Sequence, residues 1–183
     1  MGNFNIALKI TGGNEGDIAN NPNDSGQFTY CGIASAYWPN WVGFPAVHKA
    51  ISDNNGNIQK ANLELANNPV VQQQVNEFYK QNFWDVNSLD QINDQQICNN
   101  CYDCGVNSGT GTAAKFLQRA VSVTDDGIIG SHTIAAVNGG NAQNIYENIN
   151  GQRLEYYEQL AQKPGQAQFL SSWKSRLIPY KSN

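Results

Sequence analysis

The sequence predicts a mainly α fold carrying one short irregular or β loop near its start. Two observations lead there: apolar residues recur at helical spacing along almost the whole chain, whereas residues 14–32 hold turn chemistry and no helical period. Length adds a third, because 183 residues suffice to bury a substantial core unaided.

Taken in order, Phe4, Ala7, Leu8 and Thr11 stand at i, i+3, i+4 and i+7, predicting a helix over residues 4–11 that Gly12-Gly13 ends. The polar loop follows, and any strands are short and lie within residues 17–33. The segment IASAYWPNWVGFP sets Tyr37, Trp38, Trp41 and Phe44 around Pro39, which suits a packed aromatic turn or a sugar-stacking surface equally. Pro45 fits the first turn of a helix through Val47 and Ile51, broken by SDNNGN. Asn68-Pro69 signals the cap and first turn of a helix through Val71, Val75 and Phe78, ending near NFWD. A cysteine-bearing helix is expected from about Leu89 to Val106, closed by NSGTG, and the next stripe is Ala113, Phe116, Leu117, Ala120 and Val121. A turn at Asp126-Gly127 leads to a helix beginning near Ser131, and two more helices are expected over about 141–162 and 166–177. No internal repeat or low-complexity linker occurs; a soft boundary near residues 85–92 divides the chain into lobes of 1–90 and 91–183.

Hydrophobic residues make up 40% of the chain and charged residues only 14%, with Asn and Gln supplying much of the remaining polarity. The net charge of -4, without a Lys or Arg cluster, excludes nonspecific nucleic-acid binding through counterion displacement. No stretch approaches the length of a membrane span, and no basic-then-apolar signal peptide is seen at the start. The expectation is therefore a cytoplasmic protein until it is released.

Three of the four cysteines, Cys98, Cys101 and Cys104, are spaced by three residues. With Cys31 they would make a four-thiolate metal site. On a helix the same spacing drifts slowly across one face, where free cysteine acts as a small buried hydrophobe. The lone Cys31 lacks the second paired turn of a zinc knuckle, so the buried helix face is preferred and no metal is assigned.

The loop TGGNEGDIANNPNDSGQFTYCGI carries Glu15, Asp17 and Asp24. Asp beside Gly and Asn commonly caps a turn. A carboxyl just past a helix end, with a second carboxylate and a hydroxyl within a hairpin's reach, is also the minimum equipment for acid-base cleavage of a glycosidic bond. Glu15, Asp24 and Thr29 fit that description. His48 and His132 sit in helical contexts without a supporting motif and are assigned to packing or surface. No nucleophile elbow, zincin, P-loop or dinucleotide motif occurs.

Those residues resemble glycoside hydrolase family 108, the bacterial and phage N-acetylmuramidases often labelled endolysins or secretion activators. Phe4, Ala7, Leu8, Glu15, Gly16, Pro22, Asp24, Gly26, Thr29, Gly32 and Ile33 match its opening pattern. Farther on, Asp103, Val106, Asn107, Gly109, Leu117, Gln118, Asp126, Gly127, Gly130 and Thr133 resemble its companion peptidoglycan-binding region. The resemblance implies a lysozyme-like two-lobed fold, with a catalytic lobe at 1–90 and a helical peptidoglycan-binding lobe at 91–183. It implies a muramidase cutting the β-1,4 bond between N-acetylmuramic acid and N-acetylglucosamine, with no metal or organic cofactor.

By the same resemblance, Glu15 is the proton donor, and the likeness of the Glu, Asp, Thr order to phage-type lysozymes assigns Asp24 and Thr29 to the attacking water. Asn107 is a candidate for binding a sugar N-acetyl group, although capping its own helix explains it as well. Asp126 is read as a turn residue. The partners implied are peptidoglycan glycan strands and, for release to the periplasm or wall, a holin or secretion partner. Two departures stand beside Glu15: Asp17 where the family has Gly, and Ile18 where it has Tyr. A close second carboxylate would raise the Glu pKa and favour a donor, or distort the loop; losing the Tyr removes a possible sugar contact. The alternative reading is a degenerate wall-binding or secretion-associated module that does not cut.

Overall fold

A computed structural model of the chain describes residues 1–12, 17–20 and 28–182. The described residues form a mainly α, lysozyme-like fold with nine α-helices and a small antiparallel sheet. The chain divides into two compact units, one of Met1–Thr11 with Asn82–Asn183 and one of Gly12–Gln81.

In the unit of residues 12–81, β1 (Ile18–Asn20), β2 (Phe28–Tyr30) and β3 (Ile33–Ala34) pair in that order. Register puts Ile18 opposite Tyr30 and Tyr30 opposite Ile33, a row of three buried side chains. The next row is Ala19, Thr29 and Ala34. Side chains alternate between faces along a strand, so this second row lies on the face opposite the buried one.

Helix α2 (Phe44–Asp53) has Pro45 in its first turn and buries Phe44, Val47 and Ala50. Positive φ at Asn55 and Gly56 then turns the chain, as SDNNGN predicts. The sequence reading missed α3 (Ile58–Ala66), which the Asn57 side chain caps by accepting from the Lys60 N–H at 3.1 Å. Its buried stripe is only Ala61 and Leu65 while Leu63 points outward, too thin a pattern to read by period. In α4 (Pro69–Tyr79), Asn68 accepts from the N–H groups of Val70 and Val71, and Val71, Val75, Phe78 and Tyr79 are buried. A π-helical turn over Lys80–Trp84 follows.

In the other unit the central element is α5 (Gln95–Ser108), which packs against α1 (Phe4–Thr11), α6 (Thr110–Ala120) and α8 (Ala142–Ala161). It begins later than expected. Leu89–Gln91 form a 3-10 turn, Ile92 is extended, and the Asp94 carboxylate caps α5 by accepting from the Ile97 N–H at 2.9 Å. Cys98, Cys101 and Cys104 all face the core at no more than 1% exposure. Burial pushes the Cys98 thiol up to about 12 and Cys104 up to about 11, and holds Cys101 well above the ordinary thiol range. Phe4 meets Tyr102 and Trp84 edge-on with ring centroids 5.7 and 5.8 Å away, fastening α1 to this core.

Gly109 has φ of +90°, a backbone state closed to most side chains, and it makes the corner where α5 stops and α6 starts. Helix α7 (Ser131–Gly139) begins where the sequence places it. The expected helix over 166–177 is instead a 3-10 turn at Ala167–Phe169 and the short α9 (Leu170–Lys174). Pro179 favours extended backbone at Ile178, and the chain beyond α9 runs irregularly.

One buried polar network crosses this core. The Arg153 guanidinium, 1% exposed, donates to the Asp103 carboxylate, to Asn100 Oδ1 at 2.6 Å and to the Tyr157 hydroxyl at 2.8 Å. Arg176 donates to the other Asp103 oxygen at 2.8 Å. One carboxylate thus ties α5 to α8 and to the end of α9.

Candidate active site

Of the three residues assigned to catalysis, Glu15 and Asp24 lie outside the described residues, and Thr29 lies within them. Thr29 is the centre of the sheet, half-buried on the middle strand between Ala19 and Ala34. Both neighbours are small, so the hydroxyl sits on a face that no bulky cross-strand side chain covers. On the opposite face, Tyr30 is fully buried, accepts from Gln72 Nε2 at 3.0 Å and stacks on Trp41 at 6.2 Å.

The turn between β2 and β3 explains two residues of the motif. Cys31 and Gly32 both take positive φ, 48° and 74°, and the Tyr79 hydroxyl donates to the Cys31 carbonyl at 2.7 Å. A Cβ on Gly32 would lie 2.9 Å from that same hydroxyl. Glycine is required there on both counts. Burial pushes the Cys31 thiol up to about 11, outweighing its bond with Tyr30, and Asp17 raises it further.

The two departures from the family pattern have defined places. Ile18 is 8% exposed and belongs to the buried row of the sheet. Asp17 is exposed, and its carboxylate accepts from Asn62 Nδ2 at 3.0 Å while Asn62 Oδ1 accepts from the Ile18 N–H at 3.0 Å. Asn62 therefore clamps the start of β1 with both ends of one amide. It stands on α3, the helix missed from the sequence.

The aromatic segment divides between its two readings. Trp41 and Phe44 are buried, with ring centroids 5.1 Å apart and edge-on, and Trp41 also meets Phe78. Tyr37 and Trp38 are 65% and 39% exposed, and Trp38 stands edge-on to Phe78 at 4.9 Å. Packing takes one pair and leaves the other at the surface. His48 is exposed and stacks on Phe28 at 4.9 Å.

In the C-terminal half, Asn107 is exposed and its Nδ2 donates back to the Asp103 carbonyl at 2.7 Å and to the Asp103 carboxylate at 3.2 Å. Among the described residues its Oδ1 is the atom left for an outside donor. Gln118, 1% exposed, holds the following turn: Nε2 donates to Asp126 Oδ1 at 2.7 Å and the Ile128 carbonyl at 3.0 Å, and Oε1 accepts from the Gly127 N–H at 2.9 Å. The bonds from Gln118 and the Ile128 N–H hold the Asp126 carboxyl below its ordinary range. Asp126 is thus a turn residue, and Gln118 is the reason the turn is fixed.

Arg153 is the polar residue that sequence reasoning passed over, although a signal existed. It follows Ile145 and Ile149 at successive four-residue steps on the buried face of α8. A cation on an apolar stripe requires a carboxylate facing it.

The family model of Glycosyl hydrolase 108 matches residues 8–109, more than half of the chain, and that of Predicted Peptidoglycan domain matches residues 112–178. The chain belongs to glycosyl hydrolase family 108. Together the two matches support a glycoside hydrolase directed at peptidoglycan. Among solved structures, that of Brucella abortus SagA is similar, with a TM-score of 0.66 at 24% identity over 95% of this chain and 88% of that one. No curated protein sequence matches the chain. Among the described residues, no helix is long and apolar enough to cross a membrane.

Proposed function

We propose that the protein is an N-acetylmuramidase, hydrolysing the β-1,4 bond between N-acetylmuramic acid and N-acetylglucosamine. The family match that spans the Glu15 loop carries this reading. Glu15, protonated, donates to the departing O4 oxygen of N-acetylglucosamine as its bond to C1 of N-acetylmuramic acid breaks. Water attacks C1 from the opposite face; Asp24 takes its proton, and the Thr29 hydroxyl orients it. Inversion at C1 follows, since no further carboxylate is assigned to bond the sugar covalently. The row of Ala19, Thr29 and Ala34 supports Thr29 in that role, because both cross-strand neighbours of the hydroxyl-bearing residue are small. Asn107 Oδ1 accepts from a sugar N-acetyl N–H, and residues 91–183 hold the wall while residues 1–90 cut it.

Glu15→Gln removes the transferable proton and keeps the shape of the side chain. Lysis of purified sacculi should fall by at least about 100-fold, the lower bound of the range of roughly 10²–10⁴ for a general acid, while pull-down on the same sacculi persists. A wild type that binds sacculi and releases no reducing ends is a wall-binding module, and the enzyme reading fails.

A further inference from the structure

The unit built on α5 contains a pocket of about 840 Å³ that the catalytic reading does not use. Its walls include Asn99 and Asp103 from α5, Tyr146 and Arg153 from α8, and Arg176 and Lys181 from the segment around and after α9. That volume is within the range of small-ligand sites, roughly 300–1,000 Å³. Its outer wall is the C-terminal strap, pinned at two points. Gln96 makes two hydrogen bonds to the Lys181 backbone, both 2.9 Å, and the Ile178 carbonyl accepts from the Tyr146 hydroxyl at 2.8 Å and Asn150 Nδ2 at 2.9 Å.

The charge inside is unbalanced. Arg153, Arg176 and Lys181 line the pocket against Asp94 and Asp103. Asp94 is occupied by the Ile97 N–H and the Tyr180 hydroxyl, and Asp103 by both guanidiniums and Asn107. Arg153 spends its donors on Asp103, Asn100 and Tyr157. Arg176 differs: its side chain is one-third exposed, and among the described residues its hydrogen bonding is confined to Nη1, leaving Nε and Nη2 as a donor pair. Such a guanidinium edge matches a carboxylate, which accepts two parallel N–H bonds. Lys181 and Asn99 line the same pocket, and among the described residues the Asn99 amide is engaged through Oδ1, leaving Nδ2 as a further donor.

We infer that this pocket binds the carboxylate end of a peptidoglycan stem peptide, with Arg176 as its principal contact. The inference rests on the reading that the chain acts on peptidoglycan. Where a stem is attached, the lactyl carboxyl of N-acetylmuramic acid is taken up in the amide to the peptide, so the glycan there offers hydroxyls and neutral acetamides and the free carboxylates belong to the stem. On peptide-bearing strands a site built around the Arg176 donor pair therefore selects the stem.

The test is a titration of the full chain with a free stem tetrapeptide, with the same peptide amidated at every carboxyl, and with acetate, followed by amide NMR. The acid peptide should bind and shift signals of Asn99, Arg176 and Lys181, while the amidated peptide and acetate leave them in place. Arg176→Ala should weaken acid-peptide binding at least tenfold, with Arg176→Lys between it and the wild type. No binding, equal binding of the amidated peptide, equal shifts with acetate, or shifts confined to other residues would each overturn the assignment. The wild-type shift map decides the matter even if a variant fails to fold. Sacculus hydrolysis, assayed separately, reports on the enzyme reading: active protein that ignores the peptide sinks only this inference, and inactive protein that binds it sinks only the other.

Discussion

Tyr79 and Gly32 meet at a single point where a hydroxyl, a carbonyl and a missing side chain fix the β2–β3 turn. Gly32→Ala forces a Cβ to 2.9 Å from the Tyr79 hydroxyl in a backbone state with φ of 74°. It should cost about 1–3 kcal/mol by chemical denaturation, and adding Tyr79→Phe should recover only the steric part. The sequence shows a glycine in a family-like pattern but not why; the partner lies forty-seven residues downstream in a helix whose period advertises only burial. Arg153 was more accessible to reasoning, since its place on an apolar stripe demands an acid, yet nothing local says that the acid is Asp103. Arg153→Ala leaves that carboxylate with Arg176 as its cation and Asn107 as its neutral donor, its Oδ2 side stripped of the buried guanidinium, and should destabilise the protein by about 3–5 kcal/mol in thermal or denaturant unfolding. Arg153→Met, which also leaves Asp103 in place, should rescue little of it, and a full rescue would show that packing rather than charge sets the cost.

At the scale of elements, helices with a wide apolar stripe and a capping signal were legible, and those with neither were not. Helix α1 and the start of α4 stand where the period and Asn68-Pro69 place them. Helix α3 escaped because its buried face is two residues wide, and α5 starts late because the Asp94 cap overrides the apolar residues before it. The thiols of α5 supply a check on its burial. They should resist alkylation at pH 8 in the native protein and react fully once it unfolds. Their raised pKa values also fix a sign. Above the ordinary thiol value of 9.0 the unfolded chain releases protons that the folded chain keeps, so stability contributed by these groups is present below pH 9 and is lost as pH rises toward 11–12. Unfolding midpoints measured from pH 8 to 11 should fall, and replacing Cys98 by Ala should flatten the decline. A midpoint independent of pH over that range would contradict the buried, protonated state.

For the whole molecule, the fold class and the family pattern were readable because both depend on spacing along the chain. The setting of the candidate site was not. Which face of the sheet carries Thr29, where Asp17 is held and what Ile18 touches all depend on pairing between distant segments. The structure answers each for the described residues. Ile18 has become a core side chain, and Asp17 is tied to Asn62, so both replacements serve the sheet beside the loop. Both replacements are therefore expected to be compatible with catalysis by Glu15.

The most direct test is the identity of the sugar at each newly formed end. Purified sacculi digested by the protein and reduced with borohydride should yield reduced N-acetylmuramic acid at the new termini by mass spectrometry, and Glu15→Gln should yield none. Reduced N-acetylglucosamine in its place, or equal product from the Glu15→Gln protein, would contradict the muramidase assignment.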